Sequence, residues 1–204
     1  MLKYISSLFS SAVGAIIPPR RDEMVISSLT AQDLEYLRTE DGLPYHNATV
    51  SALVWELKYN KNRHALAVAG EFLSEDLLGI AQEELGKPLL VPVPMHKARR
   101  RERGHNQTEL LCEAALKFLG DAYEYAPEAL ERITLTEPQQ KLARHKRLHN
   151  VKNSMQGPEP EKIKGRVCVV VDDVATTGAT LAEAARALRK AGARKVHMVA
   201  LARS

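Results

Sequence analysis

Apolar residues recur at two different spacings along this chain, and the alternation between them outlines a fold. After the turn-rich "EDGLPYH", Val50, Leu53, Val54 and Leu57 recur at helical spacing, with Asn47 placed to cap the start. Lys58 and Tyr59 read as the end of that helix; Lys58 could reach a site beyond it, but an exposed helix-end lysine is the plainer reading. "RHALAVAGEFLSEDLLGIAQEEL" reads as a second helix, and "QTELLCEAALKFLG" as a third, closed by Gly120. "KPLLVPVPM" reads as a strand with prolines at its rim, followed by "HKARRRERGHN" as a loop. "LERITLT" reads as a short strand, and the polar, proline-flanked "EPQQKLARHKRLHNVKNSMQGPEPEK" as a long loop for at least part of its length. "GRVCVVVDD" is an unbroken apolar run ending in two acids, the pattern of a strand covered on both faces. "LAEAARALRKAG" puts Leu181, Ala184, Ala185 and Leu188 on one helical face and stops at Gly192, and "KVHMVALA" supplies a last strand. Strands alternating with helices predict an α/β domain with a mainly parallel sheet. Residues 1–45 read as an N-terminal segment or hood, and 46–204 as the principal domain.

Composition narrows the class. With 204 residues and 45% apolar content, the chain suits one domain able to bury a core without disulfides or structural metal. Cys112 and Cys168 sit in apolar contexts, "ELLCEAAL" and "GRVCVVV", with no CxxC spacing, so both read as small buried side chains. The opening "MLKYISSLFSSAVGAII" is too short and too rich in serine to span a bilayer, and it lacks a clear cleavage site. A cytoplasmic protein without membrane insertion is the expectation. The net charge is only +4, but it is unevenly placed: "KARRRER" (97–103) and "KLARHKRLHNVK" (141–152) concentrate the basic residues. Such clusters call for a polyanionic partner, either a phosphate-rich small molecule or nucleic acid.

The densest chemical signal is "VVVDDVATTGATL", Val169 to Leu181. In open α/β sheets, ligands bind at the carboxyl ends of the strands, and Asp172 and Asp173 end the most apolar one. The loop that follows, Val174 to Thr180, leads into a helix N-terminus, where free N–H groups and the helix dipole favour a phosphate. Thr176, Thr177 and Thr180 add hydroxyl donors, and Gly178 permits a close backbone approach. Carboxylates facing a phosphate would repel it. They make sense facing a sugar diol, whose hydroxyls donate to them. A divalent metal bridging the hydroxyls and further phosphates would also relieve the acids' mutual repulsion. GxGxxG and GxxxxGK[ST] are both absent, so neither a dinucleotide fingerprint nor a P-loop applies.

This stretch resembles the phosphoribosyl-diphosphate (PRPP) motif of the type I phosphoribosyltransferases. Three further segments resemble one branch of them, the ComF family (competence protein F-like), which is associated with DNA uptake and competence. These are "LVWELKY", "VPVPMHKARRRERGHNQTELL", and the pairing of Arg132–Gln139 with Arg147–Asn150, so the resemblance spans about residues 45–204. It implies a type I phosphoribosyltransferase fold with a mainly parallel sheet, flanking helices and a small hood. It implies that Asp172 and Asp173 are the catalytic acids, contacting the ribose hydroxyls and, directly or through water, Mg2+. Ala175, Thr176, Thr177, Gly178, Ala179 and Thr180 would cradle the 5-phosphate. Lys97, Arg99, Arg103, Asn106 and Gln107 would belong to the pyrophosphate segment, and Gln139 and Arg147 to a mobile loop closing over the site. Members of the family commonly begin with a four-cysteine zinc module; "GAIIPPRRDEMVISS" has no cysteine, so no zinc is expected.

The reaction so implied displaces pyrophosphate from the anomeric carbon of PRPP through an oxocarbenium-like transition state, with a base nitrogen or ammonia as nucleophile. The protein's part would be positioning and charge stabilisation. Two other functions stand beside the transferase, in DNA uptake or in nucleotide metabolism. One is a regulatory protein that keeps the PRPP fold without catalysis; the other is an accessory of the uptake machinery that handles nucleic acid. Neither basic stretch contains an aromatic residue for stacking bases, which weighs against the last. No base-reading constellation is visible in residues 1–60. The oligomeric state stays open, a homodimer included.

Overall fold

The computed structural model describes residues 23–135 and 151–204. Helices α1 (Glu23–Ser28) and α2 (Ala31–Leu37) precede β1 (Leu43–Pro44) and α3 (Ala48–Trp55). A single π-helical turn, Glu56–Asn60, joins α3 to the long α4 (Arg63–Glu83). Then come β2 (Leu89–Pro92), α5 (Lys97–Arg103), α6 (Gln107–Leu119) and β3 (Glu124–Tyr125). β4 (Glu131–Arg132), β5 (Met155–Gln156) and α7 (Pro160–Ile163) lead to β6 (Val167–Ala175), α8 (Ala179–Lys190) and β7 (Lys195–Arg203).

Five strands form one sheet in the order β1-β7-β6-β2-β3, and every neighbouring pair is parallel. Because successive side chains of a strand point to opposite faces, the apolar runs of β2 and β6 divide between two layers. Leu90, Val169 and Val171 join a core with α1–α4 and α6, whereas Leu89, Val91, Cys168 and Val170 join a second core with α8, Leu130, Met155 and Ile163. The predicted faces hold: Val50, Leu53, Val54 and Leu57 are fully buried in the first layer, and Leu181, Ala184, Ala185 and Leu188 are buried in the second. Asn47 caps α3 by accepting from the Thr49 and Val50 amides, and both cysteines are free and buried. Ile26, Leu29, Leu34 and Leu43, all before residue 45, share the first core, and β1 pairs with the end of β7. Helices α4 and α6 meet so closely at Gly70 that a Cβ there would lie 2.6 Å from the Ala114 carbonyl carbon.

Four local expectations need correction. "KARRRER" is a helix, not a loop: the His96 ring accepts from the Ala98 amide, and the turn closes at Gly104. Alanine, lysine and arginine are strong helix formers, and this short run uses that propensity without any apolar stripe. The strand expected across "LERITLT" shrinks to Glu131–Arg132, which pairs antiparallel with Met155–Gln156. Helix α8 closes at Lys190, with Gly192 in the turn beyond. Lys58 does not lie exposed at a helix end, because the backbone widens into the π turn and carries it inward.

Candidate functional site

The site begins as a step in the sheet. The pairing of β2 with β6 ends at Pro92↔Val171, closed by the Val93 amide donating to the Val171 carbonyl at 2.8 Å. β6 runs on beside β7, with Asp172 opposite Ala200 and Ala175 opposite Arg203. Asp172 and Asp173 therefore lie inside the strand, not at its last residue as expected, and just past the point where β2 has stopped. This is the carboxyl edge at which parallel sheets bind ligands. The acids are 8% and 5% exposed. The Asp173 amide donates to Asp172 Oδ1 at 3.0 Å and the Val174 amide to Asp173 Oδ1 at 2.8 Å, which fixes both carboxylates against the backbone.

Because the strand runs to Ala175, the turn is only Thr176–Gly178, shorter than the loop expected from Val174 to Thr180. Gly178 holds the left-handed backbone at φ +73° that starts α8, and the Ala179 amide reaches Thr177 Oγ1 at 3.4 Å. Thr176 is exposed, while Ala175 and Ala179 are buried, so the alanines offer only backbone here.

Two side chains from distant elements converge on one oxygen of Asp173. Lys58 Nζ, on the π turn, lies 3.1 Å from Oδ2, and Gln107 Nε2, at the start of α6, donates to the same atom at 3.4 Å. Gln107 Oε1 accepts from Arg103 Nη1 at 3.1 Å, and the Arg103 guanidinium lies over the Tyr59 ring at 5.2 Å. Since Tyr59 follows Lys58, these contacts close a loop through the π turn, β6, α6 and α5. Tyr59 also packs on Trp55 with ring centroids 4.2 Å apart, and Lys58 Nζ lies 6.0 Å from the Tyr45 ring centre. Among the described residues, the buried Trp55 Nε1 and His105 Nε2 have no hydrogen-bond partner.

The remaining predicted residues have various placements. Asn106 is buried and committed to the fold: it caps α6 and donates to the Val93 carbonyl and to Glu109. Thr108 donates to the same Val93 carbonyl at 2.7 Å, so the pair ties α6 to the end of β2. Lys97 points outward and pairs with Glu131 at 2.7 Å. Arg99 is partly buried near Arg103. His105 is buried, with Nδ1 at 3.1 Å from the Arg103 carbonyl. Gln139 and Arg147 lie outside the described residues. Arg132, at the end of β4, is partly buried, donates from Nε to the Pro94 carbonyl at 2.9 Å, and feels the charge of Asp172. A cavity of about 500 Å³ opens between β5 and α8, but it shares no residue with this site, and its Arg186 is held by Glu183 at 2.7 Å.

The electrostatics split the acid pair. Burial, then the neighbouring Asp173, push Asp172 up to about 8. Burial also acts on Asp173, yet the Lys58 ammonium outweighs it and holds that carboxyl below the usual range. Burial alone would lower Lys58; the Asp173 charge overrides it and keeps the ammonium charged. Burial and the nearby Arg103 lower Arg99, and burial lowers Arg132. The two neighbouring acids are thus driven in opposite directions, Asp172 toward its protonated form and Asp173 toward its charged form, with Lys58 held as the ammonium.

Comparison with known proteins gives the class first. The phosphoribosyl transferase domain family matches residues 122–204, and with the all-parallel central sheet this defines a type I phosphoribosyltransferase fold. A DNA utilization protein, YhgH, of Salmonella typhi is 34% identical over 158 residues, covering 76% of this chain and 67% of that protein. Competence protein F of Haemophilus influenzae is 32% identical over 56% of this chain and 50% of that protein. Among solved structures, a glutamine phosphoribosylpyrophosphate amidotransferase from B. subtilis superposes with a TM-score of 0.44 at 18% identity, over 72% of this chain and 30% of that one. The chain belongs to the ComF family of phosphoribosyltransferase-like proteins.

Proposed function

We propose that this protein binds PRPP with Mg2+ and transfers its phosphoribosyl group to a nitrogen nucleophile. The observation that carries the reading is the buried acid pair at the step in the sheet, on the strand that leads directly into Thr176–Gly178 and the N-terminus of α8. The turn's amides and threonines suit the 5-phosphate, and the carboxylates suit the ribose hydroxyls. Adjacent carboxylates are also the hard oxygen donors that Mg2+ takes, and a cation there would offset both the burial and the neighbouring charge that raise Asp172. Bound there, the cation would neutralise charge on the departing pyrophosphate. Arg103 and Gln107, linked to each other and to Asp173, suit the pyrophosphate side. The chain would orient the sugar and hold the leaving group while the C1–oxygen bond breaks and the nitrogen–C1 bond forms.

The names of the relatives, DNA utilization and competence proteins, support a setting in DNA uptake. No described helix is long and apolar enough to cross a membrane. A screen of nucleobases and ammonia for pyrophosphate release tests the transferase reading. Release with one acceptor and none without it is expected. PRPP binding with no release from any acceptor would leave the regulatory reading in its place.

A further inference from the structure

Lys58 is in direct contact with the acid pair through Asp173, and nothing in the PRPP motif accounts for it. Three observations bear on it. It sits on a π turn, Glu56–Asn60, closed by Lys61 in the left-handed conformation at φ +48°. Such single turns cost helix regularity and mark places where a side chain has been re-aimed. Its side chain is only 15% exposed, and its contact on Asp173 Oδ2 is shared with Gln107, which is tied to Arg103. An ammonium has three donors, and a buried one is costly unless they are engaged; Asp173 Oδ2 engages one.

We propose that Lys58 is a further residue of the ligand site: it holds Asp173 in place when the site is empty and lends its ammonium to the pyrophosphate side of a bound phosphoribosyl diphosphate. The position follows from the contact loop. Lys58 stands where the acid pair meets Gln107 and Arg103, between the sugar side of the site and the basic residues of α5. A sugar hydroxyl arriving at Asp173 brings a donor of its own, which lets the ammonium turn toward the new anionic oxygens. The π turn would then have a purpose: it delivers a cation from the N-terminal layer to a pocket otherwise built from the sheet edge and α5–α6.

This inference rests on the PRPP reading, so the test separates the two. Calorimetry with Mg2+ compares PRPP with ribose 5-phosphate, which lacks the pyrophosphate, on the wild type, Lys58→Gln and Lys58→Arg. The glutamine amide still donates to Asp173 but has no charge, so a merely structural lysine would be rescued by it. Lys58→Gln should weaken PRPP about 10- to 100-fold, the scale of one charge-assisted hydrogen bond, and ribose 5-phosphate by less than about threefold. Lys58→Arg should recover most of the PRPP affinity. Equal losses for both ligands, or none, would overturn the role at the pyrophosphate. If the wild type binds neither ligand, the PRPP reading itself fails and this inference goes with it. Should Lys58→Gln melt well below the wild type, Lys58→Met, uncharged and of similar length, decides in its place: a folded methionine variant with PRPP weakened at least about tenfold and ribose 5-phosphate by less than about threefold upholds the role, and equal changes for both ligands reject it.

Discussion

Two neighbouring acids in one strand behave as different groups because their surroundings differ. Asp173 has Lys58 and Gln107, while Asp172 has burial and a like charge beside it. Asp172 is therefore raised in the folded chain, and the stability it lends is fully present below about pH 4 and is lost as the pH climbs toward about 8. Asp172→Asn mimics the protonated acid at every pH. It should melt close to the wild type near pH 4 and several degrees above it near pH 8. A difference that does not change between those pH values would contradict the split. At this scale the sequence was legible for the acids and the Thr–Gly turn, because a strand end and a helix start share one short motif. Lys58 could be placed at the site or at an exposed helix end, and the second reading is overturned by a signal in the spacing: it follows Val50 and Val54 at steps of four, continuing their buried stripe. The resemblance places Asn106 in the pyrophosphate segment; in the fold its side chain caps α6 and holds the Val93 carbonyl, a use no neighbouring residue signals.

Elements with an apolar stripe of three or more turns read correctly, and those shaped by few residues did not. α4, α6 and α8 follow their periodicity, but α5 has no buried residue and so no stripe to find. The π turn follows from how α3 joins α4, which no spacing in "WELKYN" encodes. The closest helix contact is likewise written as one glycine. Gly70→Ala would press its methyl into the backbone of Ala114 and Ala115, within 2.8 Å, so α4 and α6 must move apart. The cost should be about 1–3 kcal/mol, seen as a fall in Tm of several degrees by calorimetric or circular-dichroism melting. An unchanged melting temperature would show that the two helices have slack there.

Across the whole molecule, the parallel sheet with helices on both faces leaves its strands' carboxyl edge as the natural binding surface. The order β1-β7-β6-β2-β3 puts β6 in the middle, and the early end of β2 opens the step beside it. Sequence pattern indicated the parallel sheet but not this step, since where pairing stops depends on register between strands far apart in the chain. The central claim is that this step is a PRPP site gripped by Asp172 and Asp173. Its most direct test is calorimetric titration of PRPP in Mg2+ into the wild type and into Asp172→Asn/Asp173→Asn. Saturable binding by the wild type and none by a folded double variant is the expected result. Equal binding by both proteins, or no binding by the wild type, would contradict the account.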